Sequence, residues 1–345
     1  MILAAGLGTR LRPLSEAMPK PAVPICGIAP IRWNLAILAS AGVREVVVNT
    51  HWRPKAVEEA VGDVSGLGLT VYFSHEPRVL GTGGGLVKAA HHFRDETFFL
   101  VNGKLLFDAD LHAAFASHMD RRAMATMVVR PYPRRSGYGA VNVDAAGNIR
   151  EFTSNPKESG TLADEPSPLT PRLFTGVHVL EPAVIDRLPE GGPACIKTDG
   201  YIRMINDGET VCAHLQEHGY WAEPSTPRKY LMAVRDLLGG KVSLEGFRAA
   251  GLVPFEDCEE VSPGVFVHRD ASISDSALLK SPCWIGPGAR LERRTVVGPE
   301  VALEAGTQIG EEASLTKSVV WPDTRIQAGE KLDCCIAVER ERIKP

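Results

Sequence analysis

Short apolar runs alternate with amphipathic segments over the first part of the chain. The β-branched run at residues 45–49 predicts a buried parallel strand. Apolar positions with helical spacing follow Pro30, and that pattern stops at Gly42, a natural helix C-terminus. The same alternation predicts further strands at residues 69–73, 98–101 and 125–130, and further helices at residues 54–62 and 83–93. It indicates an α/β fold with a doubly wound, mostly parallel sheet, in which ligands bind beyond the carboxyl ends of the strands.

From Val265 onward the apolar period changes to six, and the residue two places before each apolar position is usually small. Nine consecutive apolar positions keep this register: Val267, Ile273, Leu279, Ile285, Leu291, Val297, Leu303, Ile309 and Leu315. Such a repeat predicts a parallel β-helix, in which each inward side chain stacks on its copy one coil away. The register slips by one near Trp321 and resumes at Val320, which a short turn or the start of a cap would explain.

These two patterns divide the chain into segments. We expect an α/β domain at residues 1–240, a linker with a short helix at 241–262, and a β-helix at 263–345. Residues 158–170 are rich in Pro, Ser, Glu and Asp, which predicts an exposed loop.

Composition narrows the function classes. The 345 residues carry 38 basic and 42 acidic side chains, a net charge of −4, which argues against a broad nucleic-acid-binding surface. No apolar run nears the ~20 residues of a membrane span, and an early strand leaves no room for a leader peptide. Seven cysteines, odd in number and without C-x-x-C spacing, favour reduced thiols in a cytoplasm over disulfides or zinc.

The most informative segment opens the chain. An apolar run at residues 2–5 leads into Gly6-Leu7-Gly8-Thr9-Arg10, and Lys20 follows between two prolines. Glycines let a loop approach an anion closely, so that its N–H groups can point at phosphate oxygens, and two cations add charge for a polyphosphate. A tight strand-to-helix turn with two surface cations is the alternative explanation.

This segment resembles the signature of the sugar-1-phosphate nucleotidyltransferases, which join a nucleoside triphosphate to a sugar phosphate and release pyrophosphate. The resemblance covers about residues 1–235 and is most similar to the mannose-1-phosphate guanylyltransferase branch. The hexad repeat resembles the left-handed β-helix fused to many of these enzymes. Further matching motifs are Leu80-Gly81-Thr82-Gly83-Gly84-Gly85, Asn102-Gly103-Lys104, Tyr138-Gly139, Thr175-Gly176-Val177 and Trp221-Ala222-Glu223-Pro224-Ser225-Thr226-Pro227.

The resemblance implies a role for each matching position. Arg10 and Lys20 would be the catalytic cations, which neutralise charge on the α-phosphate and the departing pyrophosphate. Gly139 and Thr175 would contact the sugar. The implied base leans toward guanine, as in GTP, and the sugar toward mannose or a heptose, while uridine and thymidine stay open. The implied nucleotide-binding positions are Leu3, Ala5, Gly6, Gly8, Thr9, Glu76, Leu80, Gly81 and Thr82.

Two positions depart from the family pattern. Lys104 stands where the family has an Asp that holds magnesium, and Glu223 replaces the second Asp. An ammonium has no lone pair and cannot ligate a metal. The change alters the local charge by two units, each worth roughly 4 kcal/mol at ~4 Å and an effective dielectric of ~20. Mg²⁺ is expected if the chain is an active enzyme, in which Lys104 either acts as a built-in cation or turns away while Asp108 or Asp110 takes the metal with Glu223.

Three functions follow from these observations. The chain is a working nucleotidyltransferase that uses Mg²⁺, or a catalytically inactive nucleotide or nucleotide-sugar binder that needs no cofactor and regulates an active paralogue. A scaffold without ligand is the third, but it does not explain the retained loop from Gly6 to Lys20. The expected partners are a nucleotide and a sugar 1-phosphate, with no nucleic acid or membrane, and a homo-oligomer or an active paralogue as protein partner.

Overall fold

The structure, a computed structural model, describes residues 1–93, 96–133, 138–153 and 168–345. Most of the predicted loop at 158–170 lies outside the described residues. Nine described strands form one sheet, and seven of them follow the order β10–β6–β9–β4–β1–β2–β3. The strands of this part of the chain are β1 (Ile2–Leu3), β2 (Glu45–Thr50), β3 (Thr70–His75), β4 (Phe98–Asn102), β5 (Leu106–Phe107), β6 (Ala125–Pro131), β7 (Ala140–Val143), β8 (Ile149–Thr153), β9 (Thr170–Leu180), β10 (Val211–Leu215) and β11 (Trp221–Ala222).

The sheet confirms the predicted fold class. Strands β1 to β4 pair in parallel with one another, as do β6 and β10. Strand β9 runs antiparallel between β4 and β6 and joins the two parallel parts. Strand β5 lies outside this sheet and pairs with β11 in a two-stranded ladder.

Helices alternate with these strands. Their bounds are α1 (Leu14–Ala17), α2 (Pro30–Ser40), α3 (Pro54–Val61), α4 (Gly81–Lys88), α5 (Leu111–Arg121), α6 (Ile202–Asn206), α7 (Pro227–Leu238) and α8 (Glu245–Ala249). The helix predicted at 83–93 is shorter than expected. Its chain tightens into a 3₁₀ turn at Ala90–His92, as chains often do beyond a helix C-terminus.

Core residues lie on both faces of the sheet. Val46 and Val48 of β2 pack with α2 and α7 on one face, and Val47 packs with α4 on the other. Side chains on both faces of β2 are thus buried, which explains why its sequence is a continuous apolar run instead of an alternation of apolar and polar residues. No helix among the described residues has the length and apolar character needed to cross a membrane.

The hexad repeat folds as stacked parallel strands in three sheets. Val267, Ile285, Leu303 and Val320 occupy equivalent positions on successive coils. The strands are β12 (Cys258–Ser262), β13 (Val265–His268), β14 (Ser272–Ile273), β15 (Leu278–Leu279), β16 (Cys283–Ile285), β17 (Arg290–Leu291), β18 (Val296–Val297), β19 (Val301–Leu303), β20 (Gln308–Ile309), β21 (Ser314–Thr316), β22 (Val319–Val320), β23 (Arg325–Ile326), β24 (Lys331–Asp333), β25 (Ile336–Val338) and β26 (Glu341–Ile343).

The slip in the hexad register is a shortened turn. On one coil the step from Val297 to the next inward position is six residues, whereas on the next coil Leu315 is followed by Val320 after five. Stacking continues beyond this point, with Leu332 on Leu315. The antiparallel pairing of β26 with β25 ends the sheet.

One outer face of the β-helix packs on the α/β part. Trp284, Ala302 and Ile336 alternate with inward-facing residues and join the apolar core that contains α2 and α7. Trp321 Nε1 donates to the Tyr230 hydroxyl at 3.1 Å, and that hydroxyl donates to the Pro24 carbonyl. Pro24 lies four residues after Lys20. The coils are therefore tied to the loop region of the predicted site.

Candidate functional site

The loop after β1 has the glycine that its turn requires. Gly8 has a φ of 71°, and a Cβ there would lie 3.0 Å from Ser15 Cβ and 3.2 Å from Lys20 Cγ. Lys20 is only 8% exposed, and its Nζ donates to the carbonyl of Ser225 at 3.2 Å. Thr9 and Arg10 begin a short 3₁₀ turn and are exposed. The loop thus brings a buried ammonium and an exposed guanidinium to one rim of the sheet.

A cavity of about 220 Å³ opens beside this loop, at the carboxyl ends of β1 and β4. The sequence-predicted residues Leu3, Ala5, Gly6, Gly8, Lys20, Glu76, Gly81 and Thr82 line it. Leu80 is not among the lining residues, and its N–H donates to the Glu76 carboxylate. The other lining residues are Ala4, Pro21, Asn49, Val79, Asn102 and Lys104.

A buried network of polar groups shapes the wall formed by β2 and β3. Asn49 Oδ1 accepts from Ala4 N–H at 2.7 Å, and Asn49 Nδ2 donates to Glu76 Oε1 at 2.7 Å. The other Glu76 oxygen accepts from Leu80 N–H at 2.9 Å. Gly85 makes room for this network, since a Cβ there would lie 2.6 Å from Glu76 Oε1. The wall is fixed in place, because each of these buried polar groups has a partner.

The N-terminus of α4 is held against a neighbouring segment. Thr82 Oγ1 accepts from Ile196 N–H at 3.0 Å, and Gly83 N–H donates to Ala194 O at 2.8 Å. Gly81 has a φ of 74°, and a Cβ there would clash with the Ala194 carbonyl at 2.5 Å. Thr82 is therefore a positioned residue of the cavity wall, and Gly81 is required by the backbone.

Lys104 and Glu223 meet directly. The antiparallel β5–β11 ladder pairs Leu106 with Ala222, so Lys104 and Glu223 both lie at the same end of that ladder. Lys104 Nζ and a Glu223 carboxylate oxygen form an ion pair, with side chains 23% and 12% exposed. The position where the family pattern expects a metal ligand thus holds a cation, and the second position is its counter-ion.

More charge surrounds this pair. The Tyr138 hydroxyl donates to the Glu223 carboxylate, and Lys229 Nζ donates to the Tyr138 hydroxyl. Burial would raise the pKa of Glu223, but Lys104, Lys229 and Arg10 outweigh it and hold that pKa below its usual value. Glu223 is therefore an anion among three cations.

Lys20 completes the cluster. Burial, together with the charges of Lys104 and Arg10, lowers the pKa of Lys20 to about 8. Arg10, Lys20, Lys104 and Lys229 act on one another electrostatically, and Glu223 is the carboxylate that acts on them. The site carries excess positive charge and suits a polyanion.

The described residues do not fit a divalent metal at this position. Mg²⁺ needs several oxygen ligands in a tight octahedron, whereas the Glu223 carboxylate is already paired with an ammonium that cannot ligate. No group of three or more His, Cys, Asp or Glu residues capable of holding a metal occurs in the described part of the chain.

Asp108 and Asp110 do not replace the missing carboxylate. Asp108 Oδ1 accepts from Tyr220 N–H, and Asp110 caps α5 by accepting from Ala113 N–H at 2.9 Å. Both line a different cleft. The expectation that one of them joins Glu223 is wrong, because Asp108 and Glu223 lie at opposite ends of the β5–β11 ladder.

Gly139 and Thr175 lie outside the cavity lining. Gly139 is exposed, directly before β7. The Thr175 side chain is buried and donates to Val128 O at 2.7 Å, while its carbonyl accepts from Trp221 Nε1 at 2.7 Å. Thr175 therefore holds Trp221, whose ring contacts that of Tyr138 edge-on at 5.6 Å between centroids.

Sequence reasoning missed two residues of the site as candidates. Asn49 lies near the carboxyl end of β2, where a polar side chain is ordinary. Lys229 lies in the first turn of α7, where a cation is opposed by the helix dipole. That local conflict is the signal that could have identified Lys229.

The fold and the site define an α/β protein with a β-helix attached and a cation-rich cavity at the carboxyl ends of its strands. A family model described as Nucleotidyl transferase matches residues 1–239, and the chain belongs to that family. Among curated proteins, a mannose-1-phosphate guanylyltransferase of Mycobacterium tuberculosis is 30% identical over 295 residues, spanning 85% of this chain and 77% of that protein. A UTP–glucose-1-phosphate uridylyltransferase of Synechocystis is 28% identical, spanning 96% of this chain and 85% of that protein.

Solved structures show the same fold. HddC from Yersinia pseudotuberculosis, in complex with GMP-PN, superposes with a TM-score of 0.57 at 21% identity and covers 68% of this chain and 97% of that one. The chain is thus sugar-1-phosphate nucleotidyltransferase-like in sequence and fold.

Proposed function

We propose that this chain binds a nucleoside diphosphate sugar without a divalent cation, and that the Lys104 ammonium supplies the charge that a metal would otherwise supply. The observation that carries this proposal is the ion pair between Lys104 and Glu223. Members of the family are typically metal-dependent. The ligand we favour is a guanine nucleotide linked to mannose or a heptose. One similar protein is a mannose-1-phosphate guanylyltransferase, and another, with the same fold, is HddC.

The charges and walls of the cavity support this ligand class. Arg10 and Lys20 would contact the phosphates, with the loop at Gly6, Gly8 and Thr9 offering backbone N–H groups. Leu3, Ala5, Glu76, Leu80, Gly81 and Thr82 would form the nucleoside side of the pocket, and Gly139 and Thr175 the sugar side. The Asn49–Glu76 network would keep the nucleoside wall rigid, which limits the entropy lost on binding.

Nucleotidyl transfer is a second candidate function. The retained loop and its two cations, Arg10 and Lys20, favour it, because these would stabilise negative charge on the α-phosphate and the leaving pyrophosphate. An ionised sugar phosphate would attack the α-phosphorus in line without a protein base. The two functions share the binding step and differ only in pyrophosphate release.

A titration separates them. The melting temperature of the chain is followed with GTP, GDP-mannose, UTP and UDP-glucose, each in EDTA and in Mg²⁺. Pyrophosphate release is assayed in the same two buffers with GTP plus mannose 1-phosphate and with UTP plus glucose 1-phosphate. Stabilisation in EDTA without pyrophosphate release supports the binding function. Stabilisation that requires Mg²⁺ contradicts the proposal, and pyrophosphate release in EDTA favours transfer with Lys104 as a fixed cation.

We further propose how the rest of the chain contributes. Residues 1–240 would bind the ligand, 241–262 would connect, and 263–345 would form the contact with further copies or with an active paralogue, since the sides of a β-helix are open to association. The seven cysteines are free in the structure, which is in keeping with a cytoplasmic compartment.

A further inference from the structure

Lys229 occupies an unusual place for a lysine. It lies in the first turn of α7, where Thr226 caps the helix and Thr226 Oγ1 accepts from the Lys229 N–H at 3.3 Å. The Lys229 ammonium lies 3.8 Å from the centroid of the Tyr138 ring and donates to the hydroxyl of that ring. A flexible side chain is thus held in one direction.

The surroundings oppose a positive charge at this place. The N-terminus of a helix is the positive end of its dipole, which destabilises a nearby cation. Burial and the charges of Arg10 and Lys104 also lower the pKa of Lys229, and Glu223 is the carboxylate that acts against them. Lys104 already shares that carboxylate. The cluster therefore lacks negative charge, and a bound anion would supply it.

Lys229 is not among the residues that line the nucleoside cavity, although it acts on the same carboxylate as Lys104. Lys20 and Lys104 line that cavity, whereas Lys229 reaches Glu223 through Tyr138, whose ring contacts Trp221. A ligand with its first phosphate near Lys20 would pass Lys104 and bring its next phosphate toward Lys229. Lys20 in the cavity lining and Lys229 on Tyr138 thus offer two separate ammonium groups, one for each of two linked phosphates.

We propose that Lys229 is a phosphate-binding residue that contacts the sugar-bearing phosphate of a nucleoside diphosphate sugar, while Lys20 contacts the phosphate next to the nucleoside. This rests on the proposed function and assigns one cation to each phosphate. Tyr138 is a positioning residue, because it holds the ammonium through both its hydroxyl and its ring face.

The test compares ligands with and without the second phosphate. Calorimetric affinities of the full chain are measured in EDTA for GMP, mannose 1-phosphate and GDP-mannose, or for UMP, glucose 1-phosphate and UDP-glucose if those are the nucleotides that bind. Lys229→Met is expected to weaken the binding of the sugar phosphate and of the nucleotide sugar about tenfold or more, which is the range of a lost charge-assisted hydrogen bond. The affinity for the nucleoside monophosphate should stay unchanged.

Three further variants make the result specific. Arg228→Met removes the same charge from the exposed neighbouring residue and is expected to change no affinity. Lys229→Arg keeps the charge and is expected to retain most of the binding, whereas Lys229→Gln keeps a hydrogen-bond donor for Tyr138 and is expected to lose as much as Lys229→Met. The Gln variant also serves if the Met variant does not fold.

The outcomes divide clearly. Equal weakening of GMP and GDP-mannose by Lys229→Met, or full GDP-mannose affinity in Lys229→Gln, overturns the assignment of Lys229 to the sugar-bearing phosphate. Failure of the unmodified chain to bind any of the six ligands overturns the proposed function instead, so the two failures are distinguishable.

Discussion

Lys104 and Glu223 form an ion pair at the place where two carboxylates are expected to hold a metal. The antiparallel ladder between β5 and β11 brings the segments that carry the two residues together at one end. Because an ammonium has three donors, Lys104 can keep this partner and still donate to a phosphate. The pair is therefore compatible with a bound anion and incompatible with a metal between its members.

Restoring the two carboxylates is expected to restore metal dependence. In the double variant Lys104→Asp with Glu223→Asp, the affinity for GDP-mannose should become at least about tenfold tighter in Mg²⁺ than in EDTA, and turnover of GTP with mannose 1-phosphate should rise. Calorimetry and a pyrophosphate assay measure the two effects. Lys104→Met is the control, since it removes the cation without adding a ligand and should weaken binding in both buffers. A folded double variant with no response to Mg²⁺ counts against Lys104 as the cause of the change.

Ligand affinity is expected to fall as the pH rises through 8. The pKa of Lys20 is lowered to about 8, so this side chain is a cation below that pH and loses its charge above it. Arg10, Lys104, Glu223 and Lys229 are the charged groups that act on it. Calorimetry of GDP-mannose binding between pH 7 and pH 9.5 should show the decline in the unmodified chain. Lys20→Arg should flatten it, because a guanidinium stays charged. An identical decline in both chains would assign it to another group.

Folding stability is expected to depend on Glu304, which is buried between the β-helix and the α/β part. One carboxyl oxygen accepts from Gly27 N–H at 2.9 Å, and burial raises the pKa of Glu304 to about 8. Cys26 and Tyr230 are its titratable neighbours. Between the unfolded pKa near 4.3 and about 8, the folded chain binds more protons than the unfolded chain, so the free energy of unfolding falls as the pH rises.

The measurement is a pair of thermal unfolding curves for the unmodified chain and Glu304→Gln, at pH 5 and at pH 9. Because the amide does not titrate, the melting temperature of the variant relative to the unmodified chain should rise by about 2 to 5 °C between the two pH values. A constant difference would show that Glu304 titrates near its ordinary pKa in the folded chain.

Gly85 is expected to be required for stability, because the Glu76 and Asn49 side chains leave no room for a Cβ at this position. A methyl group there would press on Glu76 Oε1 at 2.6 Å and Asn49 Nδ2 at 2.7 Å, so Gly85→Ala should cost about 1–3 kcal/mol of unfolding free energy and weaken nucleotide binding. Gly246→Ala is the matched control, because Gly246 is also helical and has open space around it. Denaturant unfolding compares the two. Equal stability of both variants would contradict the tight wall at Asn49 and Glu76.

The sequence was most informative where a period is fixed by packing. Val267, Ile285 and Leu303 recur because each inward position of a coil stacks on the next, so the β-helix and even its shortened turn were visible in the spacing. The buried run of β2 was visible for the same reason, since both of its faces are covered.

Contacts between distant segments could not be predicted in this way. Lys104 and Glu223 are 119 positions apart, and their pairing depends on the register of a two-residue ladder. Asp108 was a plausible substitute ligand until that ladder placed it on the other side. Lys229 carried only a weak local signal, because its partners Tyr138 and Glu223 come from other elements.

The proposed function requires the Lys104 ammonium to take the place of a metal. A crystal structure of the unmodified chain soaked with GDP-mannose and Mn²⁺, with anomalous data collected for manganese, tests it most directly. We expect ligand phosphates beside an intact pair of Lys104 and Glu223, with no anomalous peak between the two side chains. A manganese peak on the Glu223 carboxylate, with Lys104 turned away, would contradict it.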